Sequence, residues 1–140
     1  MDLAEHDARA RFAAATVAHL ATADEHDQPH VVVTTFAIEG DRIVMAVDHK
    51  PKRTQNLKRL RNILHNPKVA VLVDHYEDDW TRLWWVRADG AARVLEDQAD
   101  RQEPVRMLQD KYGQYQANPP DGPVIEITVT RWTGWSGAGQ

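Results

Sequence analysis

Much of this chain consists of short β-branched and aromatic stretches separated by turn residues. His30 to Ile38 reads HVVVTTFAI, and Val124 to Trp132 reads VIEITVTRW, in which apolar and polar residues alternate. Both patterns predict β-strands. Four further segments carry the same signal, namely residues 17–22, 42–47, 68–75 and 82–95. The six predicted strands restrict the chain to a mainly β architecture, and Asp89-Gly90 marks either a bulge or a turn in the fifth.

Only three segments favour helices: residues 2–15, 98–116, and a basic segment from about Pro51 to His65 in which Leu57, Leu60 and Ile63 recur at helical spacing. A doubly wound α/β sheet would need a helix between nearly every pair of strands. We therefore predict an α+β fold, mainly β, in which a six-stranded antiparallel barrel carries attached helices. A small α/β unit over residues 42–74 is the alternative.

Composition limits the class of protein. The 140 residues suit one domain, residues 1–140, because no linker or repeat divides them. The net charge of −4 argues against a general nucleic-acid binder. Cysteine is absent, which excludes disulfides and thiolate catalysis and fits the cytoplasm. No signal-peptide pattern or membrane-spanning apolar run occurs. We expect a cytoplasmic protein that binds neither nucleic acid nor membrane.

The predicted basic helix begins with an unusual set of charges. Lys50, Lys52 and Arg53 surround Pro51 in the first turn, where the helix dipole already places partial positive charge. Such cations should repel one another and the dipole. Free backbone N–H groups, the dipole and three cations together are typical of a phosphate or carboxylate site. We interpret the start of this helix as an anion-binding site.

Two pairs of neighbouring residues point to opposite faces of their strands. Thr34 and Thr35 form one such pair, so one hydroxyl is available to a flat heterocycle, although threonine is also simply a good strand residue. Trp84 and Trp85 form the other pair. One tryptophan would meet the core and the other a partner subunit or a planar ligand.

Motifs for several other chemistries are missing or weak. His26 and His30 are separated by a turn, and the Asp-His pairs at 48–49 and 74–75 lack an HExxH motif, so we predict no metal site. Ser136 is the only serine, which argues against a serine hydrolase. Neither GxGxxG nor a P-loop motif occurs.

Longer stretches of the sequence resemble a known family. The resemblance is carried by PHVVVTTF, IVMAVDHKPKR, NLKRLRNILHNP, VAVLVDHYEDDW and LWWVRADGAA, and it extends from about Val17 to Trp135. The chain resembles the flavin/deazaflavin oxidoreductase superfamily, and within it the actinobacterial PPOX-class F420-dependent enzymes, which are relatives of pyridoxamine 5′-phosphate oxidase. This resemblance implies an FMN-binding-like split β-barrel and a homodimer with cofactor sites at the subunit interface.

The resemblance also implies which residues bind the cofactor. The strand that contains Val32, Thr34 and Thr35 would lie along the ring system. The phosphate would be held by the segment that follows the predicted strand at residues 42–47, and aromatic residues of the other subunit would close the pocket. The phosphate-binding residues implied are Lys50, Pro51, Lys52, Arg53 and Asn56, and the aromatic residues implied are Trp80 or Trp84.

Coenzyme F420 and FMN are the two candidate cofactors. They have a similar ring system and a phosphate, and they differ in that F420 also carries an acidic tail. Residues 49–73 contain no acid and more cations than one phosphate needs. Lys58, Arg59 and Arg61 are solvent-facing in the simplest interpretation, but they could meet the tail carboxylates, which favours F420.

We predict an F420-dependent oxidoreductase that transfers a hydride between F420 and a small organic substrate. The alternatives are an FMN-dependent oxidoreductase and a non-catalytic protein that binds F420, FMN or haem. His30, His75, Tyr76 and Arg87 are candidate proton donors, and none of them is required by the sequence.

Overall fold

The computed structural model describes residues 1–47 and 53–138, with the side chains of residues 53–57 excepted. The helices are α1 (Glu5–Ala14), α2 (Arg53–His65), α3 (Gln98–Lys111) and α4 (Gly113–Ala117), and a short 3-10 helix spans Trp80–Arg82. The strands are β1 (Ala18–Ala23), β2 (Pro29–Thr34), β3 (Ala37–Glu39), β4 (Arg42–Ala46), β5 (Lys68–His75), β6 (Trp84–Leu95) and β7 (Val124–Ser136). None of the described helices is long and apolar enough to cross a membrane.

The strands form one sheet in the order β2-β1-β5-β6-β7-β4-β3, and all neighbours are antiparallel. The predicted antiparallel, mainly β fold is therefore confirmed. The α/β alternative is wrong, because β4 and β5 are not neighbours in this sheet.

The predicted closed six-stranded barrel is also wrong, because the sheet is open and has seven strands. The predicted strand from His30 to Ile38 is divided into β2, which pairs with β1, and β3, which pairs with β4. These are the two edge strands, and only Thr35 and Phe36 separate them in the chain. The sheet must therefore curl until its two edges approach each other at this joint.

The core fills the concave side of the curled sheet. Phe36 is fully buried there, and its ring packs 4.9 Å from the ring of Phe12 on α1. Leu60 and Ile63 of α2 are buried in the same core, as their spacing predicts, whereas the side chain of Leu57 lies outside the described residues. Buried side chains of α3 cover the other face of the sheet against β4 and the start of β7.

Two features stabilise the long β6–β7 pair. The register shifts between Asp89 and Gly90, so the bulge alternative is the correct one. A Cβ atom at Gly90 would lie 2.3 Å from the backbone oxygen of Thr128, and only glycine permits this close approach. Further along, the carboxylate of Glu126, only 8% exposed, accepts hydrogen bonds from Arg42 and Arg93 at 2.5 and 2.6 Å.

Candidate functional site

A cavity of about 660 Å³ opens beside the joint between the two sheet edges. Val33 and Thr34 at the end of β2, Thr35 of the joint, and Ala46 at the end of β4 form one wall. Here the chain leaves one ladder before it enters the other, so backbone groups need partners outside the sheet. The opposite wall supplies these partners.

Tyr112 anchors the joint to the rest of the protein. It lies between α3 and α4, in extended conformation, and its hydroxyl accepts a hydrogen bond from the Phe36 N–H at 3.1 Å. The same hydroxyl lies 2.7 Å from the Thr16 oxygen and 2.9 Å from the Phe36 oxygen, so its one proton is used within the protein. Burial raises the pKa of Tyr112, although the hydrogen bond from the Phe36 backbone opposes the shift.

Tyr115 holds its hydroxyl in the cavity itself. Its ring stands edge-on to that of Tyr112, with centroids 5.7 Å apart and an interplanar angle of 86°. The Tyr115 hydroxyl lies 3.0 Å from the Thr35 hydroxyl, so the two form one hydrogen bond in which either can be the donor. Gln109 fixes the backbone of this turn through a 3.1 Å hydrogen bond to the Tyr115 oxygen.

Lys111 lies next to this anchor but faces away from solvent. Its ammonium nitrogen is buried, has no hydrogen-bond partner among the described residues, and sits 3.7 Å from the centroid of the Phe36 ring. Burial lowers the pKa of Lys111 to about 8.

The described lining of the cavity includes one positively charged side chain and no negatively charged one. Arg59 of α2 lines the cavity, and none of the described lining residues is an aspartate or glutamate. Burial lowers the pKa of nearby His30 on β2, and the charges of Lys58 and Arg59 lower it further. The site therefore favours neutral or anionic ligands over cations.

Comparisons with known proteins assign the family. The family model of pyridoxamine 5′-phosphate oxidase matches residues 4–136. The chain belongs to this family. No curated protein matches it closely enough to add a function.

Solved structures of related fold agree with the family. The FAD-binding protein of Mesorhizobium loti is 20% identical, with 96% of this chain and 95% of that chain covered and a TM-score of 0.72. The FAD-binding protein of Mycobacterium smegmatis is 16% identical, with 96% of each chain covered and a TM-score of 0.65. A haem-binding protein of Mycobacterium smegmatis is 21% identical, with 96% of this chain and 54% of that chain covered and a TM-score of 0.73. At these identities the likeness shows the fold.

Some of the residues that the sequence predicts to bind the cofactor ring line the cavity, and others lie elsewhere. Thr34 and Thr35 both line the cavity, whereas Val32, on the face of β2 opposite to Val33, packs against the core and is not among the described lining residues. Trp84 also packs against the core, where Arg11 lies over its ring, and Trp80 is 76% exposed on the 3-10 helix.

The expected phosphate-binding segment is described only in part. Lys50, Pro51 and Lys52 lie outside the described residues. Arg53 and Asn56 belong to α2, but their side chains are not described either. The segment connects Ala46 to Arg59 in the chain, and both of these residues line the cavity.

Sequence reasoning missed much of the cavity wall. Tyr112, Tyr115 and Asn118 had no assigned role, and Arg59 had only an optional one. The two tyrosines lie three residues apart at the end of a predicted helix, just before Pro119-Pro120, and this spacing was the available signal. The four candidate proton donors lie outside the described lining of this cavity.

A second concave region lies on the outer face of the sheet. Val31, Leu72, Tyr76 and Trp85 surround a groove of about 540 Å³, so Trp85 faces outward where Trp84 faces inward. Both Val31 and Val33 of the edge strand β2 are exposed, at 61% and 62%. Within the described part of the chain, no group of three or more metal-ligating side chains occurs.

Proposed function

We propose that this protein is an oxidoreductase that binds coenzyme F420 in the cavity beside the sheet joint and transfers a hydride between F420 and a small organic substrate. One observation carries the proposal. The described lining of the cavity contains Arg59 and no carboxylate. The basic segment from Lys50 to Arg53 lies in the chain between two lining residues, Ala46 and Arg59. A phosphorylated ring system needs this combination of a cavity and an adjoining anion site.

The residues present fit such a cofactor. A volume of about 660 Å³ lies within the range of about 300–1,000 Å³ that is typical of cofactor pockets. Val17, Val33 and Ala46 offer apolar surface to a flat ring, and the side-chain amides of Gln114 and Asn118 offer hydrogen bonds. Lys50, Lys52 and Arg53 would hold the phosphate, with Asn56 behind them.

The bound cofactor would supply the hydride chemistry. The protein's own residues would bind and orient the ring and exclude water from it. Arg59 and the neighbouring cations Lys58 and Arg61 would hold the acidic tail, which is the feature that favours F420 over FMN.

Cofactor titration tests this proposal. The protein should quench or shift F420 fluorescence, and Lys52→Ala should weaken F420 binding about tenfold, the effect of losing one charge-assisted hydrogen bond. Lys68→Ala is the matched control, because Lys68 is exposed at the start of β5. Tighter binding of FMN or FAD than of F420 would remove the F420 assignment and leave a flavin-dependent enzyme. Binding of none of the three would refute the proposed function.

We also propose that the protein acts as a homodimer through the groove face of the sheet. Val31 borders the groove and Val33 borders the cavity, and the two are alternate residues on the same exposed edge strand. A second subunit seated on the groove would therefore reach the cavity mouth, where its exposed Trp80 could close the site, whereas Trp84 packs against the core of its own subunit.

Sedimentation velocity tests the dimer. The wild-type protein should sediment as a dimer, and Leu72→Asp should give monomers that bind the cofactor more weakly. Leu64→Asp is the control, because Leu64 is 74% exposed on α2 and lies outside the described groove lining. A wild-type monomer, or a Leu72→Asp monomer that retains full cofactor affinity, would contradict the proposal.

Haem binding is the second candidate function, since the haem-binding protein of Mycobacterium smegmatis has a similar fold with a TM-score of 0.73. A Soret band that saturates at one haem per chain, together with no affinity for F420 or flavins, would favour this candidate.

A further inference from the structure

Among the described residues, the hydroxyl groups that line the cavity leave one proton without an acceptor. Four lining residues carry hydroxyls: Thr34, Thr35, Tyr112 and Tyr115. Thr34 donates to the Thr35 backbone oxygen at 2.9 Å, and Tyr112 donates to the backbone oxygen of Thr16 or of Phe36. Thr35 and Tyr115 bond only to each other among the described residues. Whichever of the two is the donor, the proton of the other remains available to a ligand.

This available proton is held in place by its surroundings. The ring of Tyr115 packs edge-on against Tyr112, which is itself tied to Phe36 and Thr16 by hydrogen bonds. In a chain of two hydroxyls, the first hydrogen bond polarises the second and strengthens it. The pair is therefore a pre-organised donor for an acceptor atom in the cavity.

The rest of the described lining narrows the kind of acceptor. Arg59 contributes a positive charge, Gln114 and Asn118 contribute neutral amides, and no described lining residue is a carboxylate. An ammonium substrate would find no counter-ion there. An oxygen that carries negative charge, or that gains it during reduction, would meet a hydroxyl donor in a cavity that the Arg59 guanidinium also lines.

We propose that the Thr35–Tyr115 hydroxyl pair binds the carbonyl-type oxygen of the substrate, so that the substrates are neutral or anionic carbonyl compounds and not amines. The reduction of such compounds rests on the proposed function, whereas the oxygen-binding subsite rests on the geometry of the pair. A site of this kind rejects ligands that lack the acceptor, because its donor is then left unpaired.

Four probes of nearly equal shape test the subsite by binding alone. Acetophenone carries a neutral carbonyl, benzoate an anionic one, α-methylstyrene a CH₂ group in place of the oxygen, and benzamidinium a cationic group. Calorimetry or ligand-observed NMR on the full chain should rank acetophenone and benzoate above the other two. The ¹³C resonance of carbonyl-labelled acetophenone should also move downfield when it is bound, as expected for an accepted hydrogen bond.

Substitutions test whether the preference for carbonyl compounds comes from the two hydroxyls or from the packing of the cavity wall. Each single variant, Tyr115→Phe or Thr35→Val, still leaves one hydroxyl with a free proton, so the preference should fall only in part. The double variant should lower the affinity ratio of acetophenone to α-methylstyrene about fivefold and abolish the ¹³C shift. Thr130→Val is the matched control, because Thr130 is exposed on β7 and bonds to Asp89 outside the cavity. Equal thermal melting of all variants would establish that each is folded.

The same titrations on cofactor-loaded protein distinguish this proposal from the proposed function. A carbonyl preference in both the free and the F420-loaded protein supports the subsite. A preference that disappears on loading would show that the pair holds the cofactor ring, which overturns the substrate assignment and leaves the proposed function intact. No preference in the free wild-type protein overturns the subsite outright. A preference in a protein that binds neither F420 nor flavins keeps the subsite and refutes the proposed function.

Discussion

Replacing Tyr112 with phenylalanine removes one oxygen atom at the point where the two sheet edges meet. That oxygen accepts from the Phe36 N–H and donates to the Thr16 or Phe36 oxygen. Phe36 is fully buried, so its N–H would lose its acceptor and have no water to replace it. An unpaired buried donor costs about 1–3 kcal/mol, and the lost hydroxyl bond costs about 1 kcal/mol more. We expect the free energy of unfolding to fall by about 2–4 kcal/mol.

Urea unfolding followed by tryptophan fluorescence measures this change, and the chain carries five tryptophans as probes. At about 3 °C per kcal/mol for a chain of this length, the melting temperature should fall by about 6–12 °C. Amide hydrogen exchange gives a local measurement, since the Phe36 N–H should exchange faster in the variant. Tyr115→Phe is the matched control and should cost less than about 1 kcal/mol, because its hydroxyl bonds only to Thr35.

A loss below about 0.5 kcal/mol in Tyr112→Phe, with unchanged exchange at Phe36, would refute the reasoning. It would mean that the joint backbone has another partner and does not depend on the tyrosine. A loss of equal size in Tyr115→Phe would likewise contradict the assignment of different roles to the two tyrosines.

Three further substitutions test the framework by the same unfolding assay. Glu126→Gln should cost about 1–3 kcal/mol at pH 7. Burial alone would raise the pKa of Glu126, but its arginine partners lower it below 4.5. The stability difference between wild type and variant should therefore shrink as pH falls through the pKa of Glu126 in the folded protein. A difference that is constant with pH would contradict this. Gly90→Ala should cost about 2 kcal/mol or more, since its Cβ would lie 2.3 Å from the Thr128 oxygen; wild-type stability would contradict the close approach. Lys111→Met should be stabilising relative to wild type below pH 8, and the gain should vanish as pH rises from about 8 to 10.5, because the depressed pKa of Lys111 makes its charged form unfavourable in the folded protein. A gain that does not change over that interval would contradict this account.

The strands and the main helices could be predicted because their signals are local. Alternation in VIEITVTRW and the spacing of Leu60 and Ile63 depend only on neighbours in the chain, and the structure has the expected strand and the expected buried helix face. The division of HVVVTTFAI into β2 and β3 could not be predicted in the same way. Every residue in that stretch favours a strand. The break arises only because the first half pairs with β1 and the second half pairs with β4.

The cavity was predictable on one wall only. Thr34 and Thr35 stand out because neighbouring hydroxyls occur in a strand of apolar residues. Tyr115, the hydrogen-bond partner of Thr35, is 80 residues away, and no periodicity or motif connects these two positions. Contacts over such distances depend on how α3 and α4 pack onto the sheet, which single-sequence patterns do not encode.

The break between β2 and β3 explains why the cavity lies where it does. At Thr35 and Phe36 the backbone belongs to neither ladder, so its polar groups must find partners elsewhere, and Tyr112 satisfies those of Phe36. Because of the same break, β2 pairs only with β1 among the described strands and has none of them on its other side, which leaves space beside Val33 and Thr35. Since the junction between α3 and α4 must approach closely to place the Tyr112 hydroxyl at the joint, it also brings Tyr115 of α4 to the rim of that space. The break between β2 and β3 therefore creates both the cavity volume and the position of the hydroxyl donor. A variant in which β2 and β3 formed one continuous strand would gain strand pairing and lose the site.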